Sequence, residues 1–199
     1  MMPLHKVELT VFETILARRS VRSYKTQAVD RVTIGSLLEA AVRAPTAIHQ
    51  EPWAFVIISD RNLMHSLSDR AKPLIIAKAK QNGAERSSHM LDIVDNPDFN
   101  IFYDAGTLIL ICGKTAAPFY TADCWLSAEN LMLAACAMGL GTCVIGSALP
   151  AFNLPEVRIE LSIPDEFSVV APIILGYPNK EIAPVFRKSP HILNNIAAP

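Results

Sequence analysis

Between Tyr120 and Leu140 runs a helical pattern whose C-terminal half, Leu131-Met132-Leu133-Ala134-Ala135-Cys136-Ala137-Met138, is apolar on every face. A helix without a polar face must be covered on all sides. In a chain of 199 residues this predicts a central helix, buried in part by a second subunit. Gly139 and Gly141 stop it, glycine being the residue that most readily takes the backbone past a helix end.

Around that helix the chain alternates apolar runs with amphipathic segments. Ala54-Phe55-Val56-Ile57-Ile58, within Trp53 to Ser59, is a continuous, partly β-branched run and predicts a strand buried on both faces. Thr107 to Cys112 is a second buried strand, Thr142 to Ile145 a short third and Ser168 to Leu175 a fourth. Apolar residues at Val7, Val11, Phe12, Ile15 and Leu16 have helical spacing. Ile34, Leu37, Leu38, Ala41 and Val42 place one apolar face on a helix over Asp30 to Arg43, and Pro45 ends it. Asn62 to about Gln81 predicts a helix broken at Pro73. Gly83 to Phe99 is polar and mixed and reads as a mobile loop or substrate-side excursion. Phe152 to Leu161 reads as a short helix or extended link, and the tail over 179–199 as extended.

Strands separated by helices make the chain α/β or α+β, one domain over 1–199. A dinucleotide-binding Rossmann unit fails on context: Gly139-Leu140-Gly141 follows a helix, whereas that fingerprint follows a strand. The charges nearly cancel, 18 Lys and Arg against 19 Asp and Glu, so the basic excess of a nucleic-acid binder is missing. Membrane spans need about 18 or more consecutive apolar residues, and no run is that long. The first residues lack the apolar region of a signal peptide, and Cys112, Cys124, Cys136 and Cys143 form no C-x-x-C pair. A cytoplasmic protein with reduced, buried thiols and no metal site is expected.

Three segments carry chemistry. Arg18-Arg19-Ser20-Val21-Arg22 sets three guanidinium forks and a hydroxyl within five residues, a phosphate-holding composition. It also suits a solvated helix end, where cations complement the dipole. Ala44-Pro45-Thr46-Ala47-Ile48-His49-Gln50-Glu51-Pro52-Trp53 is a kinked loop whose small residues let backbone approach a flat ligand, with His49 and Glu51 as polar heads facing a cleft or solvent. Gly139 to Gly146 is either a plain helix cap and tight turn or a backbone wall beside a ring.

Taken together these segments resemble the FMN-dependent nitroreductase family. Its order of motifs is an R-R-S-x-R/K turn, an A-P-S/T loop ending in Q-P-W, a Q/E-N-x-x-L-A-A helix running into G-L-G, then L-G-Y-P and a basic residue. Here stand Arg18 to Arg22, Ala44-Pro45-Thr46 through Pro52-Trp53, Glu129-Asn130 through Ala134-Ala135, Gly139-Leu140-Gly141, Leu175-Gly176-Tyr177-Pro178 and Arg187-Lys188. The resemblance implies an α+β fold, a central and mainly antiparallel sheet flanked by helices. It also implies an intertwined homodimer with FMN at the interface. Arg18, Ser20 and Arg187, with Arg19 beside them, match positions that hold the phosphate and ribityl chain. Arg22 matches the cation at the pyrimidine edge; Pro45, Thr46 and Ala47 match the loop supplied by the partner. Val144, Ile145 and Gly146 match the segment beside the ring.

Two positions depart from the pattern: His49 and Glu51 stand where the family usually has Asn and Gln. A carboxylate there opposes the charge of reduced flavin unless paired or protonated. Pairing with His49 or an arginine is one alternative. The other is that the two residues serve a substrate, for instance as a proton source, and His49 is then the proton-delivery residue to test, because imidazole titrates near working pH. The expected activity takes hydride from NADH or NADPH through FMN to a small acceptor such as a nitroaromatic or quinone. The alternatives are a flavin-binding or flavin-sequestering dimer without catalysis, and a phosphate-binding module without flavin.

Overall fold

The computed structural model describes residues 9–81, 88–180 and 182–196. Its helices are α1 (Val11–Ala17), α2 (Arg31–Ala41), α3 (Arg61–Gln81), α4 (Ser88–Asp95), α5 (Tyr120–Ala137), α6 (Leu149–Phe152) and α7 (Pro155–Glu160). Its strands are β1 (Trp53–Ile58), β2 (Thr107–Lys114), β3 (Gly141–Val144) and β4 (Phe167–Gly176). The strands form one sheet in the order β1-β2-β4-β3, and every pairing is antiparallel. The fold is therefore α+β.

Side-chain alternation along β2 builds two cores. Leu108, Leu110 and Cys112 face one layer, where Met64, Leu67 and Ala71 of α3 meet Phe152 and Val157. Ile109 and Ile111 face the other, against Leu37 of α2 and Cys124, Ala128 and Leu131 of α5. A bulge opposite Ile111/Cys112 gives β4 one extra residue, so Val169 points into the first core while both Val170 and Ala171 join the second. Burial pushes the Cys112 thiol up to about 11 and the Cys124 thiol up to about 12, which keeps both protonated at neutral pH.

Four expectations change. The first helix begins at Val11, because Thr10 and Glu13 form a capping box there; Val7 lies outside the described residues. β1 is only half-buried because it is the sheet edge, and Ile57 is exposed. α3 runs through Pro73 without a break. Pro73 sits on the exposed side, where water can serve the carbonyl it leaves unpaired, while Met64, Leu67 and Ala71 hold the buried stripe. The expected loop over 83–99 contains α4, and Lys72 ties it down. The Lys72 ammonium, nearly buried, donates to the Asn96 and Pro97 carbonyls and to Asp69. Residues 82–87 of that segment lie outside the described residues.

α5 is central, as expected, and leaves one face open. Its buried face runs Asp123, Cys124, Ser127, Ala128, Leu131, Met132 and Ala135, packed on α2 and the sheet. The opposite face leaves Trp125 and Leu126 exposed and Leu133 half-buried. The chain alone does not supply the all-round cover that the apolar pattern demands. Beyond Asn179 the described tail forms no helix or strand and bears exposed Phe186, Ile192 and Leu193.

Candidate active site

The basic segment is an extended strip laid along β3. Ser20 bridges Thr142 in parallel, and the Val21 amide donates to the Thr142 carbonyl at 2.9 Å. Its far end is sewn to the exit of β4: the Lys25 amide donates to Tyr177, and the Asn179 amide donates to Ser23. Two glycines permit this close approach. A Cβ on Gly141 would come within 2.5 Å of the Val21 side chain, and one on Gly176 within 2.8 Å of the Tyr24 ring. The G-L-G and L-G-Y-P motifs thus share a physical purpose, which is to let the basic segment lie flat against the sheet.

Side chains alternate along an extended strip. Arg18, Ser20 and Arg22 accordingly act together on the Cys143 thiol, which burial pushes up and these three groups pull down. Val21 turns inward and is buried. Arg19 is spent on its own helix end, its guanidinium donating to the Leu16 and Arg18 carbonyls. Arg18 lies 3.5 Å from the Glu129 carboxylate of α5. Burial, with the neighbouring Cys143, pushes the Tyr24 hydroxyl far above its usual range, and it donates to the Val21 carbonyl at 2.7 Å.

The strip joins two clefts. One, of about 440 Å³, is lined by Arg18, Arg19, Cys136, Gly139, Thr142 and Lys180. The other, of about 600 Å³, is lined by Arg22, Val144, Ile145 and Gly146 together with Ile75, Ile93 and Tyr103. Both volumes are in the range of small-molecule sites, roughly 300–1,000 Å³. From Arg18 to Arg22 an extended chain covers about 13 Å. The arrangement offers cations at one end and a largely apolar chamber with one cation at the other.

The Pro loop lies elsewhere. Among the described residues lining the two clefts, none comes from Pro45 to Glu51. The loop is fixed instead to the N-terminal turn of α5, where buried Asp123 accepts the Ala47 amide at 3.2 Å. Ile48, His49 and Glu51 all have positive φ, at 54°, 53° and 45°. Three such non-glycine residues in four positions mark a strained loop of the kind found at functional sites. All three are exposed. Asp123 and Cys136, which lines the Arg18 cleft, are 13 residues apart on α5, or about 20 Å of helix rise. Arg187 is exposed in the tail.

The residues that the motifs left out are Asp123, Tyr24 and Tyr103. Asp123 had a signal: it is an acidic residue four before Ser127 on the stripe that α5 buries. Tyr24 and Tyr103 had none, because the contacts of Tyr24 with Gly176 and of Tyr103 with Arg22 are set by tertiary packing.

A family model described as the nitroreductase family matches residues 15–177, a span that includes the basic segment, both clefts' strand residues and the Pro loop. The chain belongs to the nitroreductase family. Its fold is that of this family's solved structures: it superposes on a nitroreductase with bound FMN from Bacteroides fragilis with a TM-score of 0.78 at 26% identity, covering 96% of this chain and 100% of that one. A protein of Archaeoglobus fulgidus, provisionally named an NADH dehydrogenase/NAD(P)H nitroreductase, is 27% identical over 172 residues, 84% of each chain. The FMN reductase (NADPH) of Bacillus subtilis is 26% identical over 180 residues, 83% of this chain and 65% of that protein. Among the described residues no helix is long and apolar enough to cross a membrane, and no group of three or more His, Cys, Asp or Glu is placed to hold a metal ion.

Proposed function

We propose that this nitroreductase-family protein is an FMN-dependent NAD(P)H oxidoreductase that reduces a small electrophilic acceptor such as a quinone or nitroaromatic. The observation that carries this reading is the strip from Arg18 to Arg22, which joins a cationic cleft to a chamber formed with Val144, Ile145 and Gly146. That layout fits a mononucleotide with an anion at one end and a flat, largely apolar ring at the other. Arg18 and Ser20, flanked by Arg19, would hold the phosphate and ribityl chain, and Arg187 would join them from the tail. Arg22 would sit at the ring's polar edge.

The chemistry FMN supplies when bound is uptake of a hydride from NADH or NADPH and its delivery to the acceptor. The protein's share is binding, orientation and charge. The Arg22 guanidinium would stabilise negative charge at the ring edge of bound FMN. Apolar residues of the chamber keep water from the reacting face.

The Pro loop supports a homodimeric site. About 20 Å of α5 separates its anchor at Asp123 from the cationic cleft, so Pro45, Thr46, Ala47, His49 and Glu51 of one chain would serve the site of the other. The exposed apolar face of α5 and the exposed apolar tail give such a partner a surface to cover. Asp123 then acts at a distance. Asp123→Ala leaves the Ala47 amide without its acceptor and is expected to cost about 1–3 kcal/mol in denaturant unfolding. FMN affinity, followed by flavin fluorescence, is expected to fall with it, whereas Asp123→Asn retains both because its amide oxygen still accepts. His49 is assigned proton delivery to the acceptor. His49→Ala is expected to retain bound FMN and NAD(P)H reduction but to slow acceptor turnover, with the loss greatest for acceptors that must take up a proton. Unchanged turnover removes that role.

The deciding experiment is a visible spectrum of the purified protein before and after anaerobic NADH or NADPH. Flavin bands that bleach support the enzyme. Bands that persist favour a flavin-sequestering protein. No bands after added FMN refute the flavin site.

A further inference from the structure

The chamber beside Arg22 contains a residue that no family motif covers. Tyr103 has φ 52° and its neighbour Asp104 has φ 53°, both in the left-handed region. Asparagine or glycine takes that conformation readily, and a tyrosine does so at a cost. The surrounding turn is built to impose it. The Asn100 carbonyl accepts the Tyr103 amide at 2.8 Å. The Asn100 side chain accepts the Phe102 amide and donates to Asp104. Phe102 and Ala105, on either side, are fully buried anchors, and Ser68 of α3 accepts the Ile101 amide. Only the Tyr103 side chain between them turns out into the chamber.

There its ring lies 5.9 Å from the Arg22 guanidinium carbon and meets the Phe99 ring edge-on at 5.5 Å. Ile75 of α3 and Ile93 of α4 continue the same wall. Among the described lining residues of this chamber, Arg22 alone carries a charge. The ring packs along one side on the first core and on the other faces the cleft, aimed there by the left-handed backbone of the clamped turn.

We propose that Tyr103 is a specificity-determining residue: its ring, with Ile75, Ile93 and Phe99, forms a flat apolar wall that selects planar aromatic acceptors over compact polar ones. The proposal rests on the flavin-site reading above. The wall needs the ring and not the hydroxyl, since a flat apolar face is what stacks on a planar acceptor.

The test compares two acceptors on the FMN-loaded protein. 1,4-Naphthoquinone takes two electrons and two protons to become the hydroquinone, one of those protons coming from solvent. Ferricyanide takes one electron per ion and has no aromatic face, so two ions consume one NAD(P)H. Tyr103→Asn removes the ring and suits the left-handed backbone. It is expected to lower kcat/KM for naphthoquinone about tenfold and to leave ferricyanide within about twofold. Tyr103→Phe is expected to match the parent with both. Equal losses with the two acceptors, no loss with either, or a selective loss in Tyr103→Phe overturns the role. If Tyr103→Asn does not fold, Ile93→Ala, at the exposed rim, carries the test. A selective loss of about threefold for naphthoquinone supports the wall, and an unchanged ratio refutes it. A parent protein that binds no FMN, or whose FMN is not reduced, refutes the underlying reading; an active parent with unchanged variant ratios refutes only Tyr103.

Discussion

Alanine at position 141 is expected to lift the basic segment off β3 and to weaken FMN binding at least about tenfold. The Cβ of Gly141→Ala would stand 2.5–2.9 Å from three atoms of the Val21 side chain, including its own branched Cβ. These atoms are close to the backbone, so no flexible tip can swing aside. Val21 is buried and its amide is bonded to Thr142. Relief must come from moving the strip that carries Arg18, Ser20 and Arg22. Overpacking of this kind costs about 1–3 kcal/mol. Two measurements check it: the denaturation midpoint and the FMN dissociation constant, both expected to worsen. Gly35→Ala is the control. Gly35 lies within α2 with nothing within 4 Å of an added Cβ, so alanine there is expected to stabilise by about 0.5–1 kcal/mol and to leave FMN affinity alone.

Loss of the Arg22 guanidinium is expected to cut the rate of flavin reduction by NAD(P)H about a hundredfold, while FMN binding weakens less. Arg22 sits at the meeting point of the strip and the chamber, with the Tyr103 ring beside its guanidinium. A positioned donor to developing charge is worth about 10²–10³ in rate. In the proposed site Arg18 and Ser20 would hold the phosphate end, which Arg22→Ala leaves untouched, so binding and reduction should separate. Arg22→Lys keeps the charge but loses the planar fork and its face against Tyr103. An intermediate rate is expected. Anaerobic stopped-flow reduction of the FMN-loaded variants checks both, and rates equal to the parent's would refute the assignment of Arg22.

Much of the candidate site was legible because its parts are local. Three guanidinium forks in five residues, a Pro-bounded loop and a glycine turn each announce a backbone shape or a charge density. Even the structural side of the basic turn was visible in part: Arg19 caps the end of α1, as a cation at a helix C-terminus should. The reading failed where the outcome depended on neighbours. β1 has the composition of a fully buried strand, yet composition does not say whether a strand lies at the centre of a sheet or at its edge. Pro73 looks like a helix breaker until its exposed position shows that solvent can take the unpaired carbonyl. The polar stretch before Phe99 looks loose until Lys72 reaches it from α3.

The sequence by itself determined the helix-strand alternation, the exclusion of a Rossmann unit, the basic strip and the family. These follow from periodicity, turn chemistry and charge, all of which act over a few residues. Only the tertiary structure decided what those pieces do together. It laid the strip on β3 because two glycines permit contact. It put the Pro loop and the cationic cleft at opposite ends of α5. It also forced Tyr103 into the chamber through a turn clamped by Asn100. Each of these is a long-range packing outcome, set by which surfaces meet and how closely, and no local pattern encodes that.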